Sequence, residues 1–515
     1  MSRRARSSSE KFHHLDAEEK KAITHHVENV VTPYGISPED AEFLANFPEE
    51  RRKKIDWRLI PFLAFLYLVA YIDRANIGNA KIEGMTEDLN MQDTDYNIAV
   101  SIFFIPYILC ELPSNAILVR FKKPSHYIGT LTVAWGIVMT CTGVVQGYGG
   151  LVATRFMLGV AEAGFFPGAV FLVSRWYLPG ECQFRISLFY TSSAMAGAFS
   201  GLLAFAIAKM DGIGGVAGWR WIFILEGIAS VLTGVACFFL LIDSPLLSGK
   251  WLEPDDIRYL ELRQLAHNGD TLAIRDKEHT RKWQILRSVL TDWKIYTMSI
   301  VFIGNSAPNY GLKFSMPSII EGMGFTSSTA QLLTIPPYCV GAISSVTSGF
   351  LSDRMKWRMP FIVFPLSFVV IAYAVLFAKA ADIENNIPTC YFALCLACAG
   401  LYPITPGTST WNANNLAGPT KRAQGVAFMI AMGNVGGIIG SYMFLDSEAP
   451  KYPTGWGLSL GLAVLAIVSA LSMEFTFKRI NANRNKVSVD EVHARYSEDD
   501  LQEFGDRSPL FRYTL

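Results

Sequence analysis

Apolar runs of similar length, each closed by glycine, proline or charge, recur along the chain after a polar start. About twenty such residues let a helix cross a bilayer core about 30 Å thick. Runs near that length lie at 57–78, 96–119, 126–146, 150–174, 185–209 and 219–242. They resume at 293–320, 327–351, 359–380, 387–412, 421–445 and 455–477. The pattern predicts an all-α membrane protein with about twelve transmembrane helices. The longest internal polar stretch divides the spans into two sets of six, which predicts two pseudo-symmetric lobes at 57–242 and 293–478. Between them lies a loop at 243–292, with tails at 1–56 and 479–515.

Charge adds orientation. Only 17% of residues are charged, against about a quarter in soluble domains, and the net charge is zero. Lysine and arginine gather on one side of the spans: Arg51 to Arg58, Arg120 to Lys123, Arg175 and Arg185, the central loop, Arg354 to Arg358, Lys421 and Arg422, and Lys478 to Lys486. The other side has little beyond Lys81, Lys209, Lys379 and Lys451. This bias puts both termini and the central loop in the cytosol, and the plasma membrane is the expected location. The first fifty residues lack the apolar core of a signal peptide and are expected to be a disordered cytosolic tail. Within the central loop, Ile257, Leu260 and Leu265 are spaced for one side of a short helix over Trp251–Ala266, expected to brace the lobes. The eight cysteines imply neither a disulfide framework nor a zinc site, and the pair Cys395 and Cys398 sits within an apolar run, where small residues pack helices.

An ionisable residue within a span costs several kcal/mol unless paired or hydrated. The first span carries Asp73 and Arg74, the second Glu111, the fourth Arg155 and Glu162, the sixth Arg220 and Glu226, and the seventh Lys313. Asp73 lies fifteen residues beyond Arg58, roughly 22 Å along a helix, a depth at which pairing with Arg155 is feasible. Glu162 follows Arg155 by seven residues, about 10 Å deeper and on nearly the same helix face, so both are expected to line a central cavity. Adjacent Asp73 and Arg74 project about 100° apart and must serve different roles. A cationic arginine beside protonatable carboxylates suits anion–proton cotransport, while a buried ion-pair cluster that only fixes helix packing is the plainer alternative. Glu226 and Arg220 are expected to tie loops and helix ends.

The stretches YIDRANIGNAK (Tyr71–Lys81), FFIPYILCELPSNAI (Phe103–Ile117), RFMLGVAEAGFFPG (Arg155–Gly168), GWRWIFILEG (Gly218–Gly227), YGLKFSMPSII (Tyr310–Ile320), WNANNLAGPTKRA (Trp411–Ala423) and GNVGGIIGSYMF (Gly433–Phe444) resemble the anion:cation symporter branch of the major facilitator superfamily. The chain looks most like its fungal allantoate-permease-type members, whose relatives carry nicotinate, allantoate, pantothenate, biotin and similar carboxylates. The resemblance implies that Arg74 binds the substrate anion, that Asp73 and Glu162 take part in proton coupling, and that Arg155 holds or modulates the carboxylates. GFLSDRMKWR (Gly349–Arg358) matches the superfamily's cytosolic signature, with Gly349, Asp353, Arg354 and Arg358 as gating residues and Trp357 in place of a usual basic residue. The corresponding stretch of the first lobe, Ile117–Gly129, has no aspartate. Lys313 departs from the usual apolar or aromatic residue after the YGL motif and either helps select substrate or snorkels to an interface.

The expected function is therefore proton-coupled uptake of a small organic anion by rocking of two lobes, with nicotinate or a related carboxylate leading. Arg74, Lys313, Tyr107, Tyr310 and Trp411 are the expected substrate contacts. An allantoate, pantothenate or other carboxylate permease and a non-transporting nutrient sensor are the alternatives within the fold. A channel would pass current without saturation or proton dependence. An intramembrane enzyme is disfavoured because all eight histidines lie in tails, loops or the end of a span. The expected partners are the anion, protons and the lipid bilayer, with no nucleic acid, metal or cofactor, for a chain working as a monomer.

Overall fold

The computed structural model describes residues 38–515 except 48, 93, 119, 122, 249–250, 264–281, 356, 498–499 and 502–503. Among these residues the chain makes twelve helical passes. The first six are Glu49–Ala80, Asp95–Ser101 continued by Phe104–Leu118, Pro124–Thr142, Tyr148–Glu162 continued by Phe165–Trp176, Pro179–Ala208, and Gly218–Leu240. The second six are Trp293–Glu321, Ser327–Leu333 continued by Ile335–Met355, Pro360–Lys379, Ile387–Asn414, Pro419–Ser441 and Pro453–Arg484. Seven helices among the described residues are long and apolar enough to cross a membrane on those grounds alone. The seventh pass is less apolar because Asn305, Asn309 and Lys313 interrupt it, as expected of a helix that faces a polar interior.

The two halves repeat one packing scheme. The first helix packs on the fifth and the third on the sixth, and in the second half the seventh packs on the eleventh and the ninth on the twelfth. Backbones touch where the third and sixth helices cross. A Cβ on Gly136 would lie 2.6 Å from the Val231 nitrogen, and one on Gly227 would lie 2.5 Å from the Thr140 nitrogen. Small residues permit such close approach where lipid offers no hydrophobic drive for helices to associate.

Contacts between the halves gather at the end of the bundle opposite residues 38–58. Lys81, in the π-helical turn Lys81–Met85 that extends the first helix, pairs with Asp446, and its ammonium sits 4.2 Å from the Tyr96 ring centre. Tyr96 donates to the Phe314 carbonyl at 3.0 Å, Asn97 to the Ser441 carbonyl, and Gln331 to Glu83 at 2.8 Å.

At the other end, two expectations change and the C-terminal tail takes a defined place. Residues 1–37 of the expected disordered tail lie outside the described residues, but Pro38–Asn46 is a helix. The described part of the central-loop helix, 254–263, does not bridge the halves as a brace. It packs on the first half, where Tyr259 stacks on Phe47 at 4.0 Å and Arg258 pairs with Asp40 at 2.6 Å; Leu265 lies outside the described residues. The C-terminal segment docks on the second half: Tyr513 stacks on Phe477 at 4.4 Å, and Asp506 is buried between Lys294 and Lys421.

Candidate functional site

Helical geometry sends Asp73 and Arg74 of the first helix in different directions. Arg74 faces the fourth helix, pairs with Glu162, and donates to the Tyr310 hydroxyl at 3.3 Å. The rings of Tyr71, Phe103 and Tyr107 lie 4.8, 5.0 and 5.0 Å from its guanidinium carbon. Aromatic faces attract a cation and strengthen their hold where water is scarce. Asp73 turns instead to the third and sixth helices, where one carboxylate oxygen accepts from the Trp135 indole at 3.2 Å and from the Ser230 hydroxyl.

Across the interface, Lys313 reaches the same place from the seventh helix. Its ammonium donates to the Tyr71 carbonyl at 3.4 Å and lies 4.3 Å from the Tyr71 ring centre. It is 5% exposed and held inside the bundle, which excludes snorkelling in this arrangement. Arg74 and Lys313 thus flank one aromatic ring, and Arg74 is the one that pairs with Glu162. Two basic groups and one carboxylate thus meet out of water, where an unpaired charge is costly. Tyr310 completes the wall, its ring packed edge to face on Phe104 at 4.9 Å.

The structure therefore gathers Arg74, Glu162, Tyr107, Tyr310 and Lys313. It does not bring Trp411 to them: the Trp411 indole donates to the Thr514 carbonyl at 2.9 Å beneath the C-terminal segment. Arg155 forms no ion pair with Glu162 or Asp73 among the described residues; its guanidinium carbon lies 5.4 Å from the Phe223 ring centre. Arg220 ties loops as expected, to Asp88 at 3.0 Å and to the Gly143 carbonyl at 3.3 Å. Glu226 does not; it is buried within the sixth helix. At the signature loop, Gly349 has open space beside it, Arg354 is exposed, and Arg358 donates to Ser352 at 2.9 Å and through its backbone to Leu515 at 2.7 Å. The Asp353 side chain lies outside the described residues. Trp357 donates to Glu474 at 3.0 Å, tying the loop to the twelfth helix.

Tyr71 and Phe103 are the members that sequence reasoning misses. The signal lay in YIDR, where Tyr71 precedes Arg74 by three residues and so shares its face. Among the described residues no group of three or more His, Cys, Asp or Glu is placed to hold a metal ion.

Residues 63–441 match the Major Facilitator Superfamily. The chain is 37% identical over 472 residues to the MFS-type transporter cnsO of Penicillium expansum, covering 90% of each chain. It is 33% identical over 487 residues to an uncharacterised transporter of Schizosaccharomyces pombe, covering 95% of this chain and 94% of that one. Its fold is similar to that of a bacterial homologue of the human lysosomal transporter Spinster in an inward-facing, occupied conformation, with TM-score 0.62 at 16% identity over 82% of this chain and 96% of the other. It is equally similar to the xylose transporter XylE of E. coli in a partially occluded inward-open conformation, with TM-score 0.62 at 13% identity over 82% and 97%.

Proposed function

The chain belongs to the major facilitator superfamily as an integral membrane secondary transporter, and from that premise we propose that it imports a small organic anion together with protons, a carboxylate such as nicotinate being the leading substrate. The observation that carries this reading is the convergence of Arg74 and Lys313, from opposite halves, on the Tyr71 ring with Glu162 as the ion-pair partner of Arg74. A neutral solute such as a sugar would give Arg74 no counter-ion once Glu162 is protonated, whereas a carboxylate replaces it.

The same geometry supports coupling. Glu162 occupies the guanidinium that a substrate carboxylate would use in a two-point grip. Protonation of Glu162 releases Arg74 to the anion, so proton and substrate favour each other's binding. Exchanging an ionised Glu162 for a protonated one plus an anion leaves the net charge of the cluster unchanged, which keeps the cost of moving it low. Arg155 and Asp73 lie behind this cluster and tune it. With the termini in the cytosol of a plasma-membrane carrier, the closed end is the outer gate, and Gly349, Asp353, Arg354 and Arg358 belong to the inner gate that forms when the lobes rock.

The test is uptake of a panel of radiolabelled carboxylates by a transporter-deficient cell at acidic and neutral pH. Saturable uptake of at least one carboxylate, faster in acid, is expected. Failure of every carboxylate, or uptake indifferent to pH, contradicts the reading.

A further inference from the structure

The sixth helix carries a carboxyl that the transport scheme above leaves unused. Glu226 is 6% exposed, and among the described residues neither of its oxygens has a hydrogen-bond partner. It sits one turn before Ser230, the residue that donates to Asp73, and beside Gly227, where the third helix presses against the sixth. Its side of the helix therefore faces the first and third helices. An ionised carboxylate buried there without donor or counter-ion would cost several kcal/mol.

The carboxyl on that side is Asp73, held by Ser230 one turn further on, and its second oxygen likewise has no hydrogen-bond partner among the described residues. Apart from Arg155, the other described ionisable groups on the packed elements are engaged or distant: Arg74 of the first helix pairs with Glu162 of the fourth, and Cys237 lies eleven residues further along the sixth. On the sixth helix Arg220 pairs with Asp88; on the fifth Arg185 pairs with Asp56; in the π-helical turn Lys81 pairs with Asp446, and Glu83 accepts from Ser327 and Gln331. On the third helix His126 and Cys141 lie toward opposite ends. Arg155, whose Nε and Nη2 are buried without partners, stands over Phe223, one turn before Glu226. Two carboxyls facing each other in a dry interior do not both ionise, so one retains a proton.

We propose that Glu226 is a second proton-carrying residue of the cycle, which holds a proton while Asp73 is ionised and yields it to Asp73 when the first lobe repacks. It is a positioning residue for the proton and does not touch the substrate cluster. The proton leaves the Glu226 carboxyl oxygen, joins the Asp73 carboxylate, and is replaced from water; no other bond changes. This inference rests on the proton-coupled reading and deepens it.

The test is the pH profile of uptake, with nicotinate as probe, for wild type, Glu226→Gln and Glu226→Asp at matched membrane abundance. Glu226→Gln removes the more weakly acidic proton carrier of the pair and leaves the pH response to Asp73 alone, so the midpoint is expected to move about one pH unit toward acid. Half-saturation at the acid plateau is expected within about twofold of wild type, since Arg74 keeps its surroundings. Glu226→Asp retains an acid at shorter reach, and its midpoint is expected between the other two; it carries the test if the Gln variant is not produced. A wild-type midpoint in the variants overturns the inference while leaving symport intact. A wild-type profile flat with pH removes the symport reading itself, and this inference with it.

Discussion

Arg74 stands where three demands meet: an ion pair with Glu162, a hydrogen bond to Tyr310, and three aromatic neighbours. Arg74→Lys preserves charge but loses the planar fork, so the half-saturation constant for carboxylate is expected to rise about tenfold or more with little change in abundance. Unchanged affinity in an uptake titration would remove Arg74 from the site. Glu162→Gln mimics the protonated acid. Active accumulation should be lost while exchange against preloaded substrate persists, because exchange requires no net proton movement; accumulation with wild-type pH dependence would transfer the coupling role to Asp73. Lys313→Met keeps much of the length and apolar stem but deletes the second cation. Competition assays should then show a preference moved from substrates with a second acidic or electron-rich group toward simple monocarboxylates, and an unaltered profile would exclude Lys313 from recognition.

At the scale of elements, the C-terminal segment acts as part of the second half. Tyr513 and Asn481 exchange backbone-to-amide hydrogen bonds of 2.8 and 2.9 Å, and Thr514 is bound by Trp411 and Asn415. Burial alone would raise the Asp506 carboxyl, but Lys294 and Lys421 beside it hold it below the usual carboxylate range. A depressed carboxyl contributes stability that is present above its unfolded value, about 4, and is lost as pH falls through the lower folded value. Asp506→Asn should therefore destabilise the purified protein by about 1–3 kcal/mol near neutral pH, with the gap from wild type closing in stronger acid; thermal unfolding across pH measures both. Equal stability at neutral pH would show that the segment docks without this contact. None of this docking was legible from the sequence, because it depends on which distant side chains meet and neither run length nor charge count reports that. Trp411 illustrates the difficulty: an aromatic in an apolar run suits a cavity wall, yet it lies three residues from the end of its helix at Asn414, within reach of Thr514. The spans themselves were legible because a bilayer imposes length and apolarity on each helix separately. Arg74, Glu162 and Lys313 were legible because charge in such runs is costly. Glu226 was misjudged beside Arg220, although it lies eight residues into a helix that begins at Gly218, about 12 Å along its axis.

For the whole molecule, the two halves share a packing scheme but divide the chemistry unequally. The first half supplies Asp73, Arg74, Arg155, Glu162 and Glu226, whereas the second contributes Lys313 and Tyr310 at the interface. In the proposed scheme the coupling carboxyls therefore sit in one lobe, and an anion held by Arg74 and Lys313 would bridge both and tie the lobes together before they rock. The Lys81–Asp446 pair and the contacts of Tyr96, Asn97 and Glu83 close one end of this arrangement. Each must break for the site to open there. The most direct measurement is nicotinate uptake by purified protein in sealed liposomes, with an inward proton gradient imposed or collapsed by a protonophore. Accumulation above the external concentration with the gradient, falling to simple equilibration without it, is the predicted result; uptake that equilibrates identically in both conditions would contradict proton-coupled anion transport.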